Sequence, residues 1–466
     1  MTPAAPPGGD TGLDSGFEYY QVDPRLSRRD RSGRYPANFV RFPWYLRLIG
    51  PASRLPALAS HRLLCLSEHL PPLFDRVQPG ADWGTAEQIA RLRDLLLHYC
   101  RGIDDNPHIS AVGRLMIGQM ARGYLIARAR TVRFFDEHRD FILSHGRFKA
   151  PLIVTGFPRT GTTLLQRLLS EDPATRAPFT FELERPVPPM RSGDDPLADP
   201  RIALSEDNVA RLRRFAPGLI ERFAQSHPYS PTAKEESLLY VQLHHGLQFL
   251  SAASAGRSYF HAINRPEVAD GLFAYERNLF TLMDAFRPAA SHWTLKAPAY
   301  APYFGKLFEH YPDARVVVTH RHPGRNFASV CRLLETSVLP FDRPGAFDKH
   351  RFAALLQDTM RPFLSAPLDW RAAHPEREGQ IIDCHYTDLM RDPVATVRRI
   401  YAHFGLAFSA GFEARMRAWL SANPQGRQGR HSYSNAEYGI DPQALYQANR
   451  AYYARHGFQA EPGAAD

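Results

Sequence analysis

The chain has 466 residues, of which 44% are apolar and 23% charged, so a sizeable core can form and wholesale disorder is excluded. Its formal net charge of +9 suits an anionic ligand, a nucleic acid or a membrane surface and selects none of them. The four cysteines, Cys65, Cys100, Cys331 and Cys384, form no CxxC pair, which predicts reduced, buried thiols in a cytoplasmic protein.

Taken in chain order, residues 1–35 read as a flexible arm, rich in Pro and Gly, with a basic cluster at Arg28, Arg29 and Arg31. The segment from Met1 to Asp14 lacks an apolar stretch of the kind a secretory signal needs. No run of about 18 apolar residues predicts a spanning helix. Phe42, Trp44, Tyr45, Leu46 and Leu48 are read as packing on the domain, although an amphipathic membrane contact has the same composition.

Residues 36–147 read as a helical region. Thr85 and Gln88 have capping-box spacing, and Ile89, Leu92, Leu96 and Leu97 follow at helical intervals. Val112, Leu115, Met116, Met120, Tyr124 and Leu125 repeat the pattern, with the methionines as core rather than ligands. From 148 to 460 the texture is α/β. Short apolar strands are predicted at Leu152 to Thr155, Trp293 to Lys296, Arg315 to His320 and Gln380 to Cys384, with helical stretches between them. That alternation predicts a parallel sheet flanked by helices. The proline-rich stretch from Pro186 to Pro200 reads as an irregular loop.

The first strand runs into Gly156-Phe157-Pro158-Arg159-Thr160-Gly161-Thr162-Thr163, a GxxxxG turn ahead of a helix. Glycines let the backbone turn several N–H groups toward one phosphate, and the helix N-terminus adds a favourable dipole. A Walker loop places lysine after the second glycine, whereas this chain has Thr162. Triphosphate chemistry is therefore disfavoured. A shorter anion, gripped by Arg159, Thr162 and Thr163, suits the loop better.

This loop resembles the first signature of the sulfotransferases that use 3′-phosphoadenosine 5′-phosphosulfate (PAPS), in particular the bacterial group reading PRxGTT. The resemblance implies a P-loop-like α/β fold with an N-terminal helical extension. It implies that Arg159, Thr160, Gly161, Thr162 and Thr163 bind the 5′-phosphosulfate of PAPS. The family's 3′-phosphate signature is an Arg at a strand end with Ser eight residues on. It resembles Arg321 and Ser329 here. Trp293-Thr294-Leu295-Lys296-Ala297-Pro298 is similar to the strand whose Lys reaches the sulfuryl bridge, an electrostatic role. The His that often follows is replaced by Pro298 or Tyr300. Tyr386 to Pro393 resembles a late structural stretch, with Pro393 at a helix start. Gly426 to His431 resembles the basic segment closing over the 3′-phosphate, which nominates Arg427 and Arg430.

Some similar enzymes place a catalytic Glu shortly after the first loop–helix unit. That nominates Glu182, or Glu184, as the base, with Phe179 and Phe181 expected to raise its pKa. His245 and His261 are reserves. His244 and His245 are adjacent on a helix, point apart and read as structural. The resemblance implies PAPS as co-substrate, no metal, no nucleic-acid partner, and a small-molecule, glycan or lipid acceptor. The N-terminal helices and the proline-rich loop are expected to shape the acceptor pocket. A P-loop-like nucleotide kinase or hydrolase, and a non-catalytic nucleotide or nucleic-acid binder, stand as alternatives.

Overall fold

The computed structural model describes residues 65–77, 79–215, 229–249, 251–343, 345–424 and 434–460. The arm 1–35, the aromatic segment 40–48, and Arg427 and Arg430 lie outside them. Five strands form one sheet: β1 (Leu152–Gly156), β2 (Thr175–Arg176), β3 (His292–Lys296), β4 (Arg315–His320) and β5 (Ile381–His385). Their order is β2-β3-β1-β4-β5, and every pairing is parallel. Four strands match the sequence expectation to within two residues. The fifth, β2, is too short to leave an apolar run in the sequence.

Side chains alternate across the sheet, so each strand feeds two cores. Leu152, Val154, Val317, Ile382 and Cys384 pack on one face against Leu165, Leu168 and Leu169 of helix Thr162–Leu169. Val394, Val397 and Ile400 of helix Pro393–His403 complete that layer. Asp392 caps this helix by accepting the Ala395 N–H, with Pro393 in its first turn, as the sequence suggested.

Ile153, Trp293, Leu295, Val316 and Val318 face the larger core. It is shared with helices Ser237–His244, Pro266–Phe286 and Pro323–Val338. The N-terminal helices Leu66–Asp75, Ala86–Asp105 and Ala111–Glu137 bury their apolar stripes in the same core rather than in one of their own. The Thr85–Gln88 capping box is present, with both reciprocal hydrogen bonds. Leu115 departs from the expected stripe and is exposed, because it lies on the helix face opposite Ile117, Ala121 and Leu125. Cys100, Cys331 and Cys384 are buried free thiols, and Cys65 is half-buried. Among the described residues, no helix is long and apolar enough to cross a membrane.

Glu276 sits inside this core. It accepts hydrogen bonds from the Tyr300 hydroxyl at 2.7 Å and the Tyr311 hydroxyl at 2.9 Å. Burial pushes its carboxyl up to about 7, against an ordinary 4.5, and the tyrosine hydroxyls only partly offset that rise. The folded state then binds more protons than the unfolded chain between these values, so the group costs stability as pH rises from 4.5 toward 7. Relative to the parent, Glu276→Gln is expected to gain melting temperature between about pH 5 and pH 8. A melting-temperature difference that stays constant across that window would contradict the buried carboxyl.

The fold places its functional end by topology. From β1 the chain runs through helix Thr162–Leu169 to β2 on one side, and from β4 through helix Pro323–Val338 toward β5 on the other. Loops that leave adjacent strands in opposite directions open a crevice at the strands' carboxyl ends. Here it lies between the loop after β1 and the loop after β4.

Candidate active site

The loop after β1 depends on its two glycines. Gly156 has φ +137°, and a Cβ there would come within 2.5 Å of the Thr319 carbonyl oxygen on the neighbouring strand. Gly161 has φ +93°, and a Cβ there would lie 2.9 Å from Leu389 Cδ2. Arg159, between them, holds φ +66°, a left-handed conformation that costs a non-glycine residue on the order of 1 kcal/mol or more. The loop is braced from below. Thr160 Oγ1 donates to the Phe157 carbonyl at 2.6 Å, and Asn326 Nδ2 donates to the Pro158 carbonyl at 2.8 Å. Helix Thr162–Leu169 starts immediately after Gly161, so its first-turn N–H groups face the loop.

A cation reaches this loop from the end of β4. Arg321, one residue past β4, donates through Nη1 to the Arg159 carbonyl at 3.2 Å. Its guanidinium lies 4.3 Å from the centre of the Tyr386 ring. Arg159 Nε donates to Ser329 Oγ at 3.3 Å. Arg159, Arg321 and Ser329, separate in sequence, therefore share one crevice. Thr162 is buried and Thr163 half-buried in the first helical turn beside them.

Lys296 closes the carboxyl end of β3, in register with Val154 of β1. Its side chain is fully buried, and Nζ donates to Glu236 Oε1 at 2.6 Å. Glu236 immediately precedes helix Ser237–His244, and its side chain is 16% exposed. A buried ammonium against a carboxylate that still reaches solvent, at the end of the strand beside a phosphate-type loop, has the makings of a charge stabiliser with a proton acceptor.

Comparison with known families gives a match to the sulfotransferase family over residues 151–410, more than half of the chain. The chain belongs to that family. Two solved structures share the fold. Sulfotransferase STF9 from Mycobacterium avium is 24% identical with a TM-score of 0.67, covering 85% of this chain and 97% of its own. Sulfotransferase STF1 from Mycobacterium tuberculosis H37Rv is 25% identical with a TM-score of 0.66, covering 82% of this chain and 98% of its own. No curated protein matches the chain.

Several sequence expectations need correction in this sulfotransferase. Glu182 is 1% exposed and bound to Arg176 Nη2 at 2.7 Å and to the Phe179 N–H at 3.1 Å. Burial pushes its carboxyl up, but Arg176, Lys234 and the Phe179 N–H outweigh that and hold it below the ordinary glutamate range. The rise expected from its aromatic neighbours does not occur, and a carboxylate sealed from solvent is poorly placed to take an acceptor's proton. Glu184 is also engaged, by the hydroxyls of Tyr229 and Ser205. Thr160, expected as a donor ligand, spends its hydroxyl on Phe157 and Thr319 inside the loop, so only its main chain is available.

The histidine pair of this sulfotransferase is structural. His244 Nδ1 meets the Tyr275 hydroxyl and His245 Nδ1 the Val241 carbonyl, and burial lowers both pKa values, that of His244 to about 3. His261 is at the surface, paired with Asp358. Two residues in contact with the candidate cations escaped sequence reasoning. Glu236 carried one usable signal, a carboxylate at the start of an apolar helix, but its partner Lys296 is 60 residues away. Tyr386 stood in a stretch read as structural and proves to lie over Arg321.

One further cluster borders the crevice. Among the described residues, His320, Asp383 and His456 are the one group with donor atoms close enough to suggest a metal, all within 4.8 Å. Asp383 is already bound by Arg371 Nη1 at 2.7 Å and Nη2 at 3.1 Å and by His320 Nε2 at 2.8 Å. A guanidinium on both carboxylate oxygens disfavours a cation there.

Proposed function

We propose that this sulfotransferase moves a sulfuryl group from PAPS to an acceptor hydroxyl or amine by in-line displacement. The acceptor heteroatom attacks sulfur, the bond from sulfur to the bridging 5′-phosphate oxygen breaks, and adenosine 3′,5′-bisphosphate leaves with the electron pair. The loop N–H groups, Arg159, Thr162 and Thr163 hold the 5′-phosphosulfate. Lys296 offsets the negative charge that grows on the leaving oxygen. Arg321 and Ser329 take the 3′-phosphate. The resemblance adds Arg427 and Arg430 to that end, outside the described residues. We assign the acceptor's proton to Glu236 in place of Glu182, because both carboxylates are ion-paired but only Glu236 retains access to solvent.

The observation that carries this reading is the meeting of Arg159, Arg321 and Ser329 around a glycine loop that lacks the triphosphate lysine. The free buried thiols support a cytoplasmic protein. The acceptor is a small molecule, glycan or lipid, and a screen with labelled PAPS identifies it. Thermal stability tests the donor. Adenosine 3′,5′-bisphosphate is expected to raise the melting temperature more than ATP with magnesium does at equal concentration. Preference for ATP would overturn the assignment of PAPS as donor.

A further inference from the structure

The 3′-phosphate arginine rests on a polar chain that begins at Arg371, on helix Pro362–Ala373. Arg371 holds Asp383 on β5 and also binds Glu378 through Nε at 2.9 Å and Nη2 at 2.7 Å. Asp383 Oδ1 meets His320 Nε2 at 2.8 Å, across the pair of strands that ends at Arg321. His320 Nδ1 meets the Tyr452 hydroxyl at 3.0 Å. His320 is the last residue of β4 and directly precedes Arg321, so this contact fixes the strand end from which Arg321 projects.

The same C-terminal segment grips the loop after β4 at three more points. The Tyr453 hydroxyl accepts the Gly324 N–H at 3.1 Å. Asn435 Nδ2 donates to the Gly324 carbonyl at 2.8 Å. His322 Nε2 meets the Gln459 carbonyl at 2.8 Å. The His456 ring stacks on His320 at 3.7 Å between centroids. Arg321 itself is held at its side chain only by the Arg159 carbonyl and the Tyr386 ring among the contacts described above. Its aim therefore depends on where its backbone is fixed. An arginine discriminates an anion by geometry only when its fork is pre-positioned.

We propose that the segment Asn435–Gln459 is the positioning element of the 3′-phosphate site, with Tyr452 tying it through His320 to the strand end that carries Arg321. Residues 435–459 touch no nucleotide in this role. They set how strongly the enzyme prefers a nucleotide that carries a 3′-phosphate over one that lacks it. The inference rests on the assignment of Arg321 to that phosphate.

Tyr452→Phe removes one hydroxyl and keeps the ring. Its affinity for adenosine 3′,5′-bisphosphate, measured by calorimetry on the full chain, is expected to weaken about tenfold, with adenosine 5′-monophosphate unchanged within about twofold. Tyr453→Phe releases Gly324 instead and is expected to act in the same direction. A purely structural role would weaken both nucleotides alike or neither, and either result in both variants overturns the proposal. Arg321→Ala is measured in parallel. Should it fail to discriminate between the two nucleotides, the 3′-phosphate assignment itself falls. If Arg321→Ala discriminates and the tyrosine variants do not, only the positioning role is lost.

Discussion

Lys296→Met is expected to slow sulfuryl transfer about 100- to 1000-fold with donor affinity nearly unchanged. The lysine side chain is wholly buried at the end of β3, where a positive charge is poorly screened and its effect on a developing anion is large. The leaving oxygen gains most of its charge only as the sulfur bridge breaks, so the loss falls on the rate and not on ground-state binding. Methionine keeps the length of the aliphatic stem, which separates the missing charge from a missing volume. Single-turnover transfer from labelled PAPS to the acceptor found by screening measures the rate, and bisphosphate titration measures affinity. A rate loss below about tenfold would remove Lys296 from the reacting atoms.

Arg321→Ala is expected to weaken adenosine 3′,5′-bisphosphate about 30- to 100-fold and adenosine 5′-monophosphate little. A charge-assisted hydrogen bond is worth roughly 1.5–3 kcal/mol, and each 1.4 kcal/mol is about a factor of ten. The substitution also deletes the contact to the Arg159 carbonyl and the stacking on Tyr386. Loss of those contacts loosens the loop after β1 and acts on both nucleotides alike, so the 3′-phosphate contribution is the difference between the two titrations. Equal weakening would show that Arg321 only braces the loop.

The glycine loop after β1 was legible because its pieces are local. Gly156, Arg159 and Gly161 lie within one turn, and the turn conformation follows from residue types six positions apart or fewer. The strands were legible because β-branched and aliphatic residues buried on both faces leave continuous apolar runs, as Val316 to Val318 do. β2 was not, because a two-residue strand is held by pairing with β3 rather than by its own composition.

What the chain order alone determined about this sulfotransferase is the loop, the parallel strand pattern and the arginines at their ends. Each rests on backbone conformation or on periodicity within a few residues. Only the tertiary structure decided which carboxylate meets which cation. Glu182 is held by Arg176 and lowered by Lys234, whereas Glu236 reaches Lys296 and Tyr452 reaches His320 over 132 residues. Proton affinity and ion pairing depend on burial and on charges within a few ångströms, and separation along the chain does not encode those distances.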